Sequence, residues 1–242
     1  MARGAFEPIE TELFRGMLKE FDILVNIGAN VGYYCCHALS MGKPVIAFEP
    51  MPNNVRYLCE NIKSNGWSGA EVYPIALSDH IGILEIYGGG TGSSIIKGWS
   101  GTSEVYKTLV PSSTLDTVLG SRLQGMKALI WVDVEGAERW MLEGATSMLG
   151  NSPKPMWMVE IMTADHQPHG VRTNPNLKRT FQLFFENGYQ AFRFENNMLP
   201  VTMKDLDLIL DGNQQFSTHN FLFCESREHL FTVASHLGYK HQ

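Results

Sequence analysis

Residues 23–32 read Ile-Leu-Val-Asn-Ile-Gly-Ala-Asn-Val-Gly, a short apolar run followed at once by a glycine-containing turn. A run of this length is typical of a strand buried on both faces of a parallel sheet. The turn leads into a helix predicted at 31–41, closed by Gly42. A strand that enters a helix through such a turn is the first unit of an open α/β sheet, where ligands bind beyond the carboxyl ends of the strands.

The same alternation of strand and helix continues along the chain. Further strands are predicted at 45–48, 71–75, 84–87, 128–134, 156–161, 189–194 and 220–224, and helices at 10–20, 53–64, 113–119, 137–149, 176–187 and 227–237. Alternation of this kind implies parallel strands joined by right-handed crossovers. The pattern predicts one doubly wound, Rossmann-like α/β domain over 22–242, after a lead-in helix within 1–21. Residues 88–103, rich in Gly, Ser and Thr, are predicted to form a surface loop.

Composition narrows the classes of function. The 242 residues carry a formal net charge of −6, with no block of Lys or Arg, which argues against a nucleic-acid partner. There is no run of about 20 apolar residues that would span a membrane, and no signal-peptide pattern at the start of the sequence. The four cysteines form no CxxC pair and are interpreted as free thiols. A cytoplasmic enzyme is the default expectation.

The glycine turn and the acid after the second strand predict a nucleoside-containing ligand. Gly28 and Gly32 are spaced GxxxG with Asn30 between them, whereas a dinucleotide site favours GxGxxG. A cofactor without a pyrophosphate fits this spacing better. Glu49 ends the second strand 21 residues after Gly28, where a carboxylate can accept hydrogen bonds from ribose hydroxyls. Asp79, after the third strand, is either an acceptor for the exocyclic amine of adenine or a turn former.

Acids at two further strand ends are candidates for the reacting centre. Asp133 and Glu135 follow an apolar strand directly, and Glu160 lies near the end of the next one. Burying such acids is costly unless they are paired or used, and alternation in an extended segment would aim Asp133 and Glu135 to one side. His166 and His169 follow in a polar loop and are either bases or ordinary surface residues.

Four motifs in order resemble those of the FkbM-type methyltransferases, over about residues 22–224. They are 26–33 (Asn-Ile-Gly-Ala-Asn-Val-Gly-Tyr), 48–55 (Phe-Glu-Pro-Met-Pro-Asn-Asn-Val), 76–79 (Ala-Leu-Ser-Asp) and 132–138 (Val-Asp-Val-Glu-Gly-Ala-Glu). The resemblance implies a mostly parallel seven-stranded sheet with the last strand antiparallel. It also implies S-adenosylmethionine as the methyl donor and O-methylation of a hydroxyl on a sugar, a glycolipid or polysaccharide unit, or a natural product.

Carried over by position, the resemblance assigns roles to single residues. Asn26, Gly28, Asn30 and Gly32 would hold the methionine part of the donor, Glu49 the ribose and Asp79 the adenine, and Asp133 and Glu135 would face the reacting centre. This sequence departs from the pattern at two places. Asn26 stands where the family usually has an acid, and Trp131 where a Lys is common.

The catalytic hypothesis is removal of the acceptor's proton by Asp133 or Glu135, with His166 as a further candidate. A divalent metal held by Asp133, Glu135 and Glu160 is possible by ligand type but is not favoured, and no metal ligand is assigned. Trp99 either stacks on a sugar ring or anchors its loop. Two rival interpretations stay open from the residues alone, a nicotinamide-dependent oxidoreductase and a catalytically idle binding protein with the same fold. Oligomeric state is not predicted.

Overall fold

A computed structural model of the chain describes residues 6–195 and 197–234. Its helices are α1 (Pro8–Met17), α2 (Tyr33–Ser40), α3 (Pro52–Ser64), α4 (Leu115–Leu119), α5 (Glu138–Glu143), α6 (Thr146–Leu149), α7 (Leu177–Glu186), α8 (Met203–Leu210) and α9 (Arg227–Ala234). Its strands are β1 (Ile23–Ile27), β2 (Val45–Phe48), β3 (Ala70–Tyr73), β4 (Ala76–Leu77), β5 (Gly82–Tyr87), β6 (Lys107–Ser113), β7 (Ala128–Val132), β8 (Met156–Glu160), β9 (Gln190–Arg193), β10 (Pro200–Val201) and β11 (Asn220–Cys224).

The main sheet has the order β3-β2-β1-β7-β8-β11-β9-β10. Strands β3, β2, β1, β7 and β8 pair in parallel, and β11 lies antiparallel between β8 and β9. The predicted Rossmann-like fold with an antiparallel last strand is therefore confirmed, and the two-residue β10 adds an eighth strand at the edge. The strand order reverses between β1 and β7, so a ligand site is expected at their carboxyl ends.

Alternating side chains of the central strands build two apolar layers, one on each face of the sheet. In β1, Val25 and Ile27 belong to one layer while Leu24 belongs to the other. The first layer contains α4 to α8. The second is closed by α1, α2 and α9, and Phe14 of α1 contacts Trp131 of β7 edge-to-face with 5.1 Å between ring centroids. The lead-in helix thus packs into the core, and a domain boundary at residue 22 stays a prediction.

A second sheet of three strands, in the order β4-β6-β5, was not predicted. Of its three strands, only β5 was expected from the sequence. The β6 segment, Lys107–Ser113, was missed because it contains Pro111 and mixes exposed with buried positions. The predicted loop at 88–103 does connect β5 to this sheet's next strand. It is more ordered than its composition suggests, since it contains 3-10 turns at Gly90–Gly92 and Trp99–Gly101.

The predicted helix at 137–149 is instead two helices, α5 and α6, separated at Gly144. A Cβ atom at position 144 would lie 2.0 Å from the carbonyl oxygen of Ser78, so the chain bends where it passes this backbone. Asp116 then accepts hydrogen bonds from the backbone N–H groups of Ser147 and Met148 at the start of α6. The short elements β10 and α8 were also missed. The predicted end of the last helix, 235–237, lies outside the described residues.

Two other expectations concern the chain as a whole. All four cysteines are free, with Cys35 and Cys224 buried. Within the described part of the chain, no helix combines the length and the apolar character needed to cross a bilayer.

Candidate functional site

Two concave sites lie on either side of the turn that follows β1. The first, which we call the Glu49 cleft, has a volume of about 630 Å³ and is lined largely by apolar groups around Glu49, including Phe48, Met51 and Ile75. The second, which we call the Glu7 pocket, has a volume of about 470 Å³ and is lined by Glu7, Asn26, Tyr34, Asp133, Glu160 and Asn220 among others. Gly28, Asn30 and Asp133 border both sites.

The polar lining of the Glu7 pocket follows from the pleat of the sheet. Side chains alternate along a strand, so residues two apart share a face. Asn26, Glu160 and Asn220 each continue the series of residues that faces α1, α2 and α9, and Asn220 is paired with Glu160 across β11 and β8. Asp133 extends the same series of β7, and its N–H donates to the carbonyl of Ile27. Four neighbouring strands thus deliver polar groups to one end of one face.

The turn itself is shaped by positive φ angles. Gly28 has φ 80°, and a Cβ there would lie 1.7 Å from the carbonyl oxygen of Asp133. Asn30 adopts the left-handed conformation at φ 51°, and its side-chain oxygen accepts the N–H of Val31. Gly32 has φ 89°, and a Cβ there would meet Leu58 of α3 at 2.3 Å. Contact with backbone therefore excludes a side chain at position 28, whereas at position 32 the neighbour is a movable side-chain tip and the positive φ favours glycine.

Glu49 is buried and is held by three donors. Its carboxyl oxygens accept the backbone N–H of Asn30 at 2.8 Å, the N–H of Met51 at 2.9 Å and the side-chain amide of Asn54 at 3.2 Å. Burial raises the pKa of Glu49, and these three hydrogen bonds oppose that rise. These hydrogen bonds fix the carboxyl group between the glycine turn and α3, at the wall of the Glu49 cleft.

Asp133 and Glu160 both line the Glu7 pocket. Burial, together with the charges of Glu160 and Glu135, holds the pKa of Asp133 well above its usual range. Burial also raises the pKa of Glu160, with the charges of Glu135 and Glu7 adding to the effect.

Glu135 is fixed by a tryptophan that the sequence placed in a loop. The indole N–H of Trp99 donates to Glu135 Oε2 at 2.7 Å, and Nδ1 of His166 lies 3.9 Å from the same oxygen. Burial raises the pKa of Glu135, while the Trp99 bond and the nearby His166 lower it. The backbone of Glu135 is left-handed, at φ 51°, so simple strand alternation does not continue to this residue.

Trp99 joins the two loops that flank the cleft. Its side chain is 1% exposed and packs over Gly136, where a Cβ would lie 2.6 Å from the ring. The neighbouring N–H of Ser100 donates to the carbonyl of His166 at 2.7 Å. Trp99 therefore anchors its loop and is not available to stack on a sugar, whereas the aromatic side chain of Tyr106 is exposed.

Glu138 is the first residue of α5 and is buried. Its Oε1 accepts the N–H of Gly136 at 2.9 Å, and burial raises its pKa to about 8. The sequence signal that points inward is the apolar neighbourhood of Ala137, Met141 and Leu142, which the structure places in the core.

The structure does not bring every predicted residue together. Asp79 does not line the Glu49 cleft; its carboxylate accepts from Ser78 and lies 2.6 Å from His80 Nδ1. His169 is exposed. By contrast, Asn26, Gly28, Asn30, Glu49, Asp133 and Glu135 all border one or both sites. The roles carried over for all these residues stay predictions.

The metal hypothesis receives no geometric support from the part of the chain that the structure describes. No group of three or more His, Cys, Asp or Glu side chains in that part is arranged to hold a metal ion. Asp133, Glu135 and Glu160, the three ligands considered, form no such group among the described residues.

Comparisons with known proteins place the chain in a family. The FkbM methyltransferase domain model matches residues 26–191, more than half of the chain. No curated protein matches the sequence. Solved structures similar to the chain include a TehB-like SAM-dependent methyltransferase from Corynebacterium glutamicum, at 12% identity and TM-score 0.44, covering 92% of this chain and 88% of that one.

Two further solved structures are similar to the chain. Precorrin-6y C5,15-methyltransferase from Geobacter metallireducens is 9% identical with TM-score 0.46, covering 89% of this chain and 86% of that one. WbdD, co-crystallised with the kinase inhibitor LY294002, is 10% identical with TM-score 0.50, covering 93% of this chain and 42% of that one. At 10% identity the likeness to WbdD shows the fold alone, and the family match decides against an oxidoreductase. The chain therefore belongs to the FkbM methyltransferase family and is a SAM-dependent methyltransferase.

Proposed function

We propose that this protein transfers a methyl group from SAM to a hydroxyl of a small-molecule or glycan acceptor, in the space bounded by Glu135 and His166. One observation carries the proposal. A largely apolar cleft with a buried acid, suited to a nucleoside, meets a pocket lined by acids, suited to a cationic group, at the single turn around Gly28. SAM is such a molecule, a nucleoside joined to an amino acid through a positively charged sulfur.

The residues divide between the two ends of the donor. Glu49 would accept hydrogen bonds from the ribose, with Phe48 and Ile75 as apolar walls for the base. Asn30, Asp133 and Glu160 would surround the methionine part, where negative charge favours a cation. When bound, SAM supplies a methyl group already activated by the charge on sulfur, so the protein's task is to orient the acceptor and receive its proton.

Glu135 is the better candidate for the base. Burial and neighbouring acids hold the pKa of Asp133 well above its usual range, which favours its protonated form, whereas Glu135 accepts only from the indole of Trp99 and has one oxygen without a protein donor among the described residues. As the acceptor oxygen bonded to the methyl carbon, the carbon–sulfur bond of the donor would break and its electron pair would stay on sulfur, releasing S-adenosylhomocysteine. The acceptor's proton would pass to Glu135, whose carboxylate His166 would stabilise beforehand from 3.9 Å. A partly buried acid with a raised pKa suits this step at neutral pH.

The donor is tested by calorimetric titration with SAM, S-adenosylhomocysteine and NAD⁺. The wild type should bind both sulfur compounds and not NAD⁺. Glu49→Ala should lose this binding, because three donors lose their acceptor as well as the ribose contact. Glu60→Ala, an exposed acid on α3, is the matched control. Failure of the wild type to bind either sulfur compound would overturn the donor site and favour an idle binding protein.

The acceptor is tested with a panel of sugars and glycan fragments and isotopically labelled donor. A product that gains one methyl group and resists mild alkali is a methyl ether, as hydroxyl methylation predicts. A product that mild alkali hydrolyses is a methyl ester and would contradict hydroxyl methylation. For an active acceptor, Glu135→Gln should lower kcat by about 100-fold or more, as expected for loss of a general base, with little change in donor affinity. Full activity in Glu135→Gln would exclude it as the base. Activity that persists in EDTA would argue against a metal.

A further inference from the structure

The charge of the Glu7 pocket does not come from the residue at the end of β1. Asn26 occupies the position where the family usually has an acid. Its amide is already engaged, since Nδ2 lies 3.5 Å from the carbonyl oxygen of Trp131 and Oδ1 accepts from Cys35 Sγ at 3.2 Å. Asn26 is 2% exposed and carries no charge. Any negative charge toward an ammonium group in this pocket therefore comes from other residues.

Glu7 reaches this pocket from the segment that precedes α1. Its backbone adopts the left-handed conformation at φ 42°, which is unfavourable for a residue with a side chain. The side chain is half-buried, and the hydroxyl of Tyr34 in α2 donates to Oε2. Burial raises the pKa of Glu7 and the Tyr34 bond opposes that rise. A strained backbone and a buried acid are thus maintained together at the edge of the site.

We propose that Glu7 supplies the carboxylate that binds the α-ammonium group of the donor's methionine end, in place of the acid that is absent at position 26. The assignment rests on the proposed placement of SAM, with its nucleoside in the Glu49 cleft and its amino acid in the Glu7 pocket. It makes the N-terminal segment part of the donor site, outside residues 26–191 that match the family model.

The charges around the pocket favour Glu7 over its neighbours for this role. Burial and neighbouring charges raise the pKa of both Asp133 and Glu160, which disfavours their charged forms and makes each less able to pair with a cation. The described partner of Glu7 is the neutral hydroxyl of Tyr34, which leaves one carboxyl oxygen for a ligand. None of the described lining residues of the pocket is a Lys, Arg or His.

An ammonium group in this pocket would relieve repulsion between acids. The charge of Glu7 contributes to raising the pKa of both Asp133 and Glu160, which means that the three groups disfavour one another's ionised forms. A bound cation offsets that repulsion, and this is the physical reason for gathering acids here without a protein cation.

The test compares two ligands that differ only in the amino group, S-adenosylhomocysteine and its deaminated analogue. Glu7→Gln is nearly isosteric and keeps an acceptor for Tyr34. It should weaken binding of S-adenosylhomocysteine by about tenfold to a hundredfold, the range of a charge-assisted hydrogen bond, and leave the affinity for the deaminated analogue within about twofold. Glu12→Gln, an exposed acid of α1, should change neither affinity.

Four other results, the last of them from a second variant, would overturn the assignment. Equal weakening of both ligands in Glu7→Gln would mean that Glu7 only shapes the pocket, and no weakening of either would mean that it does not contact the ammonium. Failure of wild-type protein to bind 5′-methylthioadenosine, which lacks the amino acid, would overturn the donor site itself and Glu7's role with it. Tyr34→Phe keeps the Glu7 carboxylate, so this variant should still bind S-adenosylhomocysteine more tightly than the deaminated analogue. If Glu7→Gln does not fold, loss of this difference in affinity in Tyr34→Phe would contradict the proposal.

Discussion

The backbone of Gly28 passes so close to Asp133 that a Cβ atom at position 28 would lie 1.7 Å from the carbonyl oxygen of Asp133. The same contact brings the end of β1 against the segment that follows β7, at the point where the strand order reverses. The turn can therefore border both the Glu49 cleft and the Glu7 pocket. Any side chain at position 28 would have to push these two segments apart.

Gly28→Ala should abolish donor binding and lower stability. The added methyl group clashes with backbone that cannot move aside as a side chain can, and an alanine at φ 80° costs about 1–2 kcal/mol on its own. We expect a loss of affinity for S-adenosylhomocysteine of at least about 100-fold by calorimetry, with a lower Tm. Gly42→Ala is the control, because position 42 has φ 74° but open space around a Cβ. It should lower Tm and spare binding, and a Gly28→Ala protein that binds normally would contradict this role of the turn.

Trp99→Phe should shift the pH dependence of catalysis. The indole N–H lowers the pKa of Glu135, and phenylalanine has no such donor, so the pKa of Glu135 should rise in the variant. A base acts only when deprotonated, which means that the acidic limb of the kcat/KM profile should move to higher pH. Trp67→Phe, in a groove lined by Val31, His37 and other residues away from Glu135, should leave the limb in place. An unmoved limb in Trp99→Phe would argue that Glu135 is not the base.

Strongly patterned elements could be predicted from the sequence. The buried runs Ile23–Ile27 and Val45–Phe48 match the structure at both ends, because each is bounded by a turn and is apolar throughout. The segment Lys107–Ser113 was missed because it lies on a partly exposed sheet, where half-polar composition resembles a loop. The break at Gly144 depends on its contact with Ser78, which is 66 residues distant and therefore invisible to a local pattern.

The candidate site was predicted by the same logic and with the same limits. Glu49 was singled out by its spacing of 21 residues from Gly28, and Asp133 because an acid directly after an apolar strand is costly to bury. Both border the cleft, and their roles stay predictions. Glu7 was not found, because it precedes the domain pattern and reaches the pocket only through the packing of α1 against α2. Trp99 was assigned to a loop correctly, yet its burial against Gly136 depends on a long-range contact that composition does not encode.

Asp116→Ala should destabilise the protein without affecting the donor site. The Asp116 carboxylate accepts hydrogen bonds from two backbone N–H groups at the start of α6, at 2.7 Å and 3.0 Å. It therefore caps α6 from α4, in the way that an N-cap residue caps its own helix. Loss of a cap costs about 1–2 kcal/mol, and about 1 kcal/mol corresponds to roughly 2–4 °C in Tm for a chain of this size. Asp211→Ala changes net charge equally, at an exposed position after α8, and should leave Tm nearly unchanged. Equal Tm values for both variants would contradict the capping role.

Glu138→Gln should make the protein less sensitive to alkaline pH. The pKa of Glu138 is raised by burial from 4.5 to about 8, so between these values the unfolded chain has released a proton that the folded chain retains. Stability therefore falls as pH rises through this window, at about 1.4 kcal/mol per pH unit for a fully buried group. Glutamine keeps an oxygen for the N–H of Gly136 and does not titrate.

Urea unfolding of wild type and Glu138→Gln at pH 5 and pH 8.5 measures this effect. The variant should gain stability relative to wild type as pH rises, by a few kcal/mol at most from the pKa values above. Glu71→Gln is a control with the opposite pH dependence, because the hydrogen bond from Arg122 lowers the pKa of Glu71. Wild type should be more stable than Glu71→Gln near neutral pH and should lose that difference only as pH falls into the acid range. If the difference in unfolding free energy between wild type and Glu138→Gln stays constant from pH 5 to pH 8.5, the pKa of Glu138 is not raised by folding. Glu138 would then be ionised in the folded protein.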